Sequence, residues 1–118
     1  MSQIRSEPLA KREEFSGRTF QVWAYSVSHQ SLLLRSTREN PHPTRVDVLF
    51  KGVARLSLPT TLTELAIQQA DETTGDQDQP TTRWAIAGSG EHGFVDALSA
   101  FIHEDELEFH DASPLWNL

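Results

Sequence analysis

Arg45-Val46-Asp47-Val48-Leu49-Phe50-Lys51 is the stretch on which the fold turns. Val46, Val48 and Phe50 alternate with Arg45, Asp47 and Lys51, the period-two pattern of a strand with one buried face, and Leu49 is the one departure from it. Branched and aromatic side chains suit a pleated surface, so the segment reads as a strand of an antiparallel sheet with Val46, Val48 and Phe50 turned inward. That orientation predicts large stability losses on truncating Val48 or Phe50 and small ones on truncating Arg45 or Lys51. Gly52 then permits a turn or bulge, residues 55–58 read as a short extended piece, and Pro59 ends it.

Upstream, Trp23, Tyr25 and Val27 fall on one face at period two, Ser28-His29-Gln30-Ser31 interrupts them, and Leu32-Leu33-Leu34 resumes the apolar content, which predicts a hairpin. Residues 35–44 contain Asn40, Pro41 and Pro43 and read as a surface loop, because proline fixes φ and biases its predecessor away from helix. Downstream, Leu62, Leu65 and Ile67 fit one helical turn or a short strand, and the threonines at 60, 61 and 63 tip the balance to strand. Residues 71–82, DETTGDQDQPTT, read as a flexible acidic loop, and residues 1–18 as a flexible N-terminal tail, since neither holds enough apolar surface to offset the entropy of ordering. A single β-rich domain over 19–118 remains.

The last third carries two readings. Phe94, Val95, Leu98, Phe101 and Ile102 make a helical stripe, yet two strands after the Gly-rich GSGEHG would suit the same residues. Trp84 and Ile86 in residues 83–87 supply a strand before that loop.

A chain of 118 residues with 37% apolar side chains suffices for one core and not two. No apolar stretch approaches the ~20 residues of a membrane span, and MSQIRSEPLAKREE lacks the apolar segment of a signal peptide, so a cytoplasmic location is expected. The absence of cysteine removes disulfides, thiolate metal sites and cysteine nucleophiles. Charge is uneven along the chain: residues 1–58 hold nine bases against five acids, net +4, and residues 59–118 one base against twelve acids, net -11. A net charge of -7 is repelled by phosphate backbones, and no basic cluster is interleaved with stacking aromatics, so nucleic acid is not an expected partner. Either the two halves neutralise one another on folding or the acidic half meets a basic protein.

Four groups of residues carry candidate chemistry. Gly88, Gly90 and Gly93 spell G-x-G-x-x-G, but Glu91 would put a carboxylate inside a phosphate-binding loop and the chain is too short for repeated βαβ units, so a tight turn is expected and no cofactor. Residues 91–111 hold seven acids and no base, with His92, His103 and His110 among them. The oxygen and imidazole donors could hold a divalent cation, but the spacing resembles neither an EF-hand loop nor an H-E-x-x-H helix, and a solvated acidic edge is expected instead. Ser28, His29 and Asp47 supply the residue types of a catalytic triad without its geometry, because Ser28 and His29 are adjacent, and no catalytic residue is assigned. Trp23, Tyr25, Trp84 and Trp116 could line a cavity or anchor a partner. The terminal SPLWNL is an apolar end on an acidic tail and must fold back onto the sheet or meet another chain.

YSVSHQSLLLRSTRENPHPTRVDVLFKGVARLSLP, continuing through TLTELAI, resembles a group of small uncharacterised bacterial proteins of actinobacterial type, over roughly residues 20–67. The E-D and D-x-S-P-L pieces of the tail are also similar. The resemblance implies a β-rich domain without a known activity, contributes no site residue, and makes GSGEHG a hairpin connection. The sequence therefore predicts a mainly β fold, a single antiparallel curved sheet or half-barrel of about six strands with at most one short helix. Its expected function is that of a non-enzymatic interaction module, immunity-like or regulatory, that meets a basic protein through Glu104, Asp105, Glu106, Glu108, Asp111, Leu115 and Trp116. The alternatives are a small-ligand-binding domain or enzyme with Trp23, Tyr25, His29 and Asp47 at the mouth of a cavity, and a structural homodimer paired through edge strands.

Overall fold

The computed structural model describes residues 3–38, 43–74, 80–108 and 111. Its strands are β1 (Gln3–Pro8), β2 (Arg12–Glu14), β3 (Thr19–Ser26), β4 (Ser31–Ser36), β5 (Arg45–Lys51), β6 (Arg55–Ser57), β7 (Thr61–Thr63), β8 (Ala66–Thr74), β9 (Thr81–Gly88), β10 (Glu91–Ala97) and β11 (Ser99–Asp105). They form two antiparallel sheets, ordered β1-β11-β5-β4-β3-β7 and β2-β8-β9-β10-β6. The expected single curved sheet is thus two, not closed into a barrel. Among the described residues there is no helix, and none therefore long and apolar enough to cross a membrane.

The sheets face one another across one apolar core. Leu32 and Leu34 of β4, Val46, Val48 and Phe50 of β5, and Ala100 and Ile102 of β11 come from the larger sheet, and Ile67, Trp84, Ile86, Val95 and Ala97 from the smaller. The period-two pattern at Val46, Val48 and Phe50 is therefore read correctly as the core face. The opposite face of β5 is the correction: Arg45, Asp47 and Leu49 are as deeply buried as their neighbours. Both flanks of β5 are paired, and its outward charges meet partners on the adjoining strands, Asp47 with Arg35 of β4 and Arg45 with Asp105 of β11.

Two further expectations change, and the open reading of residues 94–102 resolves to strand. Residues 1–18, read as a tail, contain β1 and β2, which pair with β11 and β8. Leu9 between them is buried in the core, and its N–H donates to the Ala100 carbonyl at 2.9 Å. Arg5 of β1 meets Glu13 of β2 at 3.1 Å and ties one sheet to the other. Of residues 71–82, those up to Thr74 continue β8 and those from Thr81 begin β9, while 75–79 lie outside the described residues. Residues 94–102 are strand and not helix: β10 and β11 meet at Leu98, whose N–H donates to the Lys51 carbonyl at 3.0 Å.

The expected hairpin of β3 and β4 is present but carries a bulge between Val22 and Ala24. The bulge breaks the period that put Trp23, Tyr25 and Val27 on one face. Tyr25 now pairs with Leu32, a core residue, whereas Trp23 lies on the other side of the sheet, 5.2 Å from the Arg35 guanidinium.

GSGEHG forms the β9–β10 hairpin connection, and its glycines have separate reasons. Gly90 sits at φ +77 with nothing within 4 Å of the place a Cβ would occupy, whereas a Cβ on Gly93 would lie 2.2 Å from the Ser57 carbonyl oxygen. Gly90→Ala should therefore cost about 1 kcal/mol, the penalty of a side chain in the left-handed region. Gly93→Ala should cost about 2–3 kcal/mol by pushing β6 from β10. Denaturant midpoints check the order, and hydrogen exchange at 55–57 should accelerate in the Gly93 variant alone; the reverse order would refute this assignment of roles.

Candidate functional site

Register places the outward residues of the larger sheet in rows that cross several strands. One row is apolar: Ala24 pairs with Leu33, Leu33 with Leu49, Leu49 with Phe101, and Phe101 with Pro8. Leu33, Leu49, Ala24 and Phe101 pack there as a cluster separate from the core. The next row is charged: Gln21, Arg35, Asp47, His103 and Ser6 are successive cross-strand partners. Beyond it, Arg45 pairs with Asp105.

Both arginine–carboxylate pairs are bidentate and almost wholly buried. Arg35 donates from Nε to Asp47 Oδ1 at 2.7 Å and from Nη2 to Oδ2 at 3.1 Å. Arg45 donates from Nε to Asp105 Oδ1 at 3.2 Å and from Nη2 to Oδ2 at 3.0 Å. The planar fork of a guanidinium matches a carboxylate, which explains why both partners are arginine and not lysine. His103 Nε2 lies 3.0 Å from Asp105 Oδ2, while its Nδ1 is buried without a hydrogen-bond partner among the described residues.

The same arginines hold the chain that follows β11. Arg45 Nη1 donates to the carbonyls of Glu108 at 2.9 Å and Asp111 at 2.6 Å, and Arg35 Nη1 reaches the Asp111 carbonyl at 3.2 Å. The turn is closed locally by the Leu107 N–H on Asp105 Oδ1 and the Glu108 N–H on Asp111 Oδ2. Arg38 adds an exposed contact to Glu108 at 2.8 Å. On the core side of this end, buried Arg18 donates to the Thr44 carbonyl at 2.9 Å and to the Thr44 hydroxyl, which donates to Glu104 at 2.7 Å.

These contacts engage part of the expected acidic docking face internally. Asp105 is buried beneath Arg45, Glu104 faces Thr44 and Arg18, and Glu108 meets Arg38; Glu106 and Glu108 are the exposed members. Leu115 and Trp116 lie outside the described residues. The charge asymmetry of the sequence is to this extent an internal matter, with bases of the first half clasping acids of the second. No group of three or more His, Cys, Asp or Glu side chains converges as a metal site among the described residues.

The expected cavity mouth does not assemble either. Asp47 is enclosed by its ion pair, His29 is in an exposed turn, and Trp23 and Tyr25 point to opposite sides of the sheet. A shallow groove of about 320 Å³ lies instead on the outer face of the smaller sheet, floored by Ala66, Ala85 and Ala87 and flanked by Arg12, Gln68 and His92.

Sequence reasoning missed the apolar end of the sandwich opposite the charged end. There the β3–β4 turn, the link after β5 and the β10–β11 bend come together: the Val53 N–H donates to the Gln30 carbonyl at 2.9 Å, and Leu98 covers Gly52. This end exposes Val27 at 81%, Leu98 at 55% and Tyr25 at 44%. The signal is Leu98, an apolar residue out of phase with the core positions Val95 and Ala97 of β10. No protein-family model matches the chain, and no curated protein or solved structure is similar to it at a significant level.

Proposed function

We propose that the protein is a non-enzymatic interaction module and that it meets its protein partner through the apolar end formed by Tyr25, Val27 and Leu98. The observation that carries this reading is the exposure of three large apolar side chains at one end of the fold, Tyr25 and Val27 where β3 runs into its turn and Leu98 at the β10–β11 bend. Each segment is pinned by main-chain hydrogen bonds, so the patch is presented without a large ordering cost on binding. The buried charged rows fit a structural role: His103 is only 2% accessible, which leaves a substrate no approach to its ring.

Binding through this end should vary little with salt, in contrast to an acidic docking face, whose association slows as screening grows. The double variant Val27→Asp, Leu98→Asp tests the reading. Both side chains are exposed, so the melting temperature should hardly move, while partner capture from the native host should be lost. Capture unchanged in the double variant but weakened by salt would return the partner to Glu106 and Glu108. A thermal shift from a small molecule, removed by Arg12→Ala or His92→Ala, would favour a ligand in the groove of the smaller sheet.

A further inference from the structure

We propose that the open edge of β2 pairs antiparallel with β2 of a second copy of the chain, centred on Glu13, so that Arg12 of one copy lies opposite Glu14 of the other. The edge has the donors and acceptors for it. The Gln69 N–H donates to the Lys11 carbonyl at 2.7 Å and the Phe15 N–H to the Leu65 carbonyl at 2.8 Å, with Glu13 in register with Ile67 between them. Lys11, Glu13 and Phe15 therefore turn their main-chain groups toward β8, and the alternation of an antiparallel ladder points those of Arg12 and Glu14 the other way. No described strand lies beyond β2, and a hollow of about 440 Å³ lined by Arg12, Glu13 and Glu14 lies there instead. The remaining edges are guarded or offer no matching charge. β1 carries Pro8 where a donor would point outward, since the next residue, Leu9, donates inward to Ala100 of β11. The Thr63 carbonyl of β7 already accepts from the Ser89 N–H at 2.7 Å. β6, centred on Leu56, would set Arg55 opposite an uncharged Ser57.

Charge selects the occupant and the register. Arg12 and Glu14 stand together on the outer face of the smaller sheet, 3.0 Å apart, with side chains 69% and 59% exposed. About a two-fold axis at Glu13, each guanidinium faces a carboxylate of the other copy, and the two strands close a ring of alternating charges. The Glu13 side chains meet on the opposite face of the sheet, where each keeps Arg5 of its own copy at 3.1 Å, and that cation offsets their repulsion. Moving the centre to Arg12 or to Glu14 would set like charges opposite one another, so those registers are disfavoured. The interface is self-complementary, as a two-fold dimer requires. A three-residue strand makes a small contact, so the dimer dissociates on dilution.

Exchanging charge between two full-length variants tests the pairing. Arg12→Glu leaves only carboxylates on the outer side of β2, and Glu14→Arg only guanidinium groups; both sites are exposed, so the melting temperatures should stay near that of the native protein. Sedimentation equilibrium should show the native chain passing from monomer to dimer as its concentration rises. Each variant alone should remain a monomer, and their equimolar mixture should recover the dimer as a mixed pair. Glu14→Pro, which removes an outward donor without touching the ladder to β8, should also be monomeric. A native chain that is monomeric at every concentration would overturn the proposal, as would a dimer that persists in either charge variant or a mixture that fails to recover it. Val27→Asp, Leu98→Asp should leave the dimer intact; its loss there would place self-association at the apolar end and refute pairing through β2.

Discussion

Arg45→Ala should destabilise the fold by about 3–5 kcal/mol, the range for removing one partner of a buried ion pair. The loss has two parts. Asp105 keeps its carboxylate in a site from which water is excluded, where its remaining contacts are the His103 ring and the Leu107 N–H. The carbonyls of Glu108 and Asp111 lose the guanidinium that donates to them, so the turn after β11 loosens at the same time. Arg45→Lys should recover only part of the stability, because an ammonium cannot present the two parallel donors that Asp105 now accepts. Arg12→Ala provides the comparison: its contact with Glu14 is solvent-exposed and should be worth less than about 1 kcal/mol. Urea midpoints on the three variants check the order. Equal midpoints for Arg45→Ala and Arg12→Ala would show that the outer face of the larger sheet is open to water, and the arrangement of its charged rows would have to be abandoned.

The contrast between Arg45 and Val46 shows what was legible in the sequence. Alternation locates a strand and its core face from side chains alone, and Val46, Val48 and Phe50 are where the pattern puts them. It cannot reveal that the opposite face is buried too, because an arginine paired with a carboxylate on a neighbouring strand looks, in one dimension, like an arginine in water. Asp47 and Asp105 belong to the strands on which the two arginines depend, but the register that joins them is tertiary. Leu49 was the exception that carried the information, since an apolar residue on a supposedly wet face forecasts the second cluster. β1 and β2 were illegible for a different reason. They are polar edge strands whose order comes from pairing with β11 and β8 and from Leu9 in the core, not from their own propensity. Alternation puts Trp23 and Tyr25 on one face because a bulge has no sequence signature in VWAY, and the one residue it inserts reverses everything beyond it. The candidate site suffered most, because it is made by ends of strands that converge in space, with Val27, Gly52 and Leu98 widely separated along the chain.

Phe50→Ala should also cost about 3–5 kcal/mol, through a cavity and not through charge. Phe50 is fully buried in β5 of the larger sheet and meets Trp84 of β9 in the smaller one edge to face, with ring centroids 6.3 Å apart. Its removal therefore takes away apolar burial and a contact between the two sheets, which have few large aromatic pairs between them to share the load. Phe50→Leu keeps most of the volume and should cost markedly less, about 1.5 kcal/mol. The two variants separate cavity from contact, since the near-ultraviolet signal of Trp84 should change in both while the midpoint falls steeply only for alanine. The mechanism also sets this loss apart from that at Arg45. A small apolar ligand such as xenon or benzene could fill the space left by Phe50 and raise the midpoint of that variant, whereas nothing apolar can restore a partner to Asp105. If Phe50→Ala costs no more than about 1 kcal/mol, the sheets do not share the core described, and Trp84 must be packed against something other than β5.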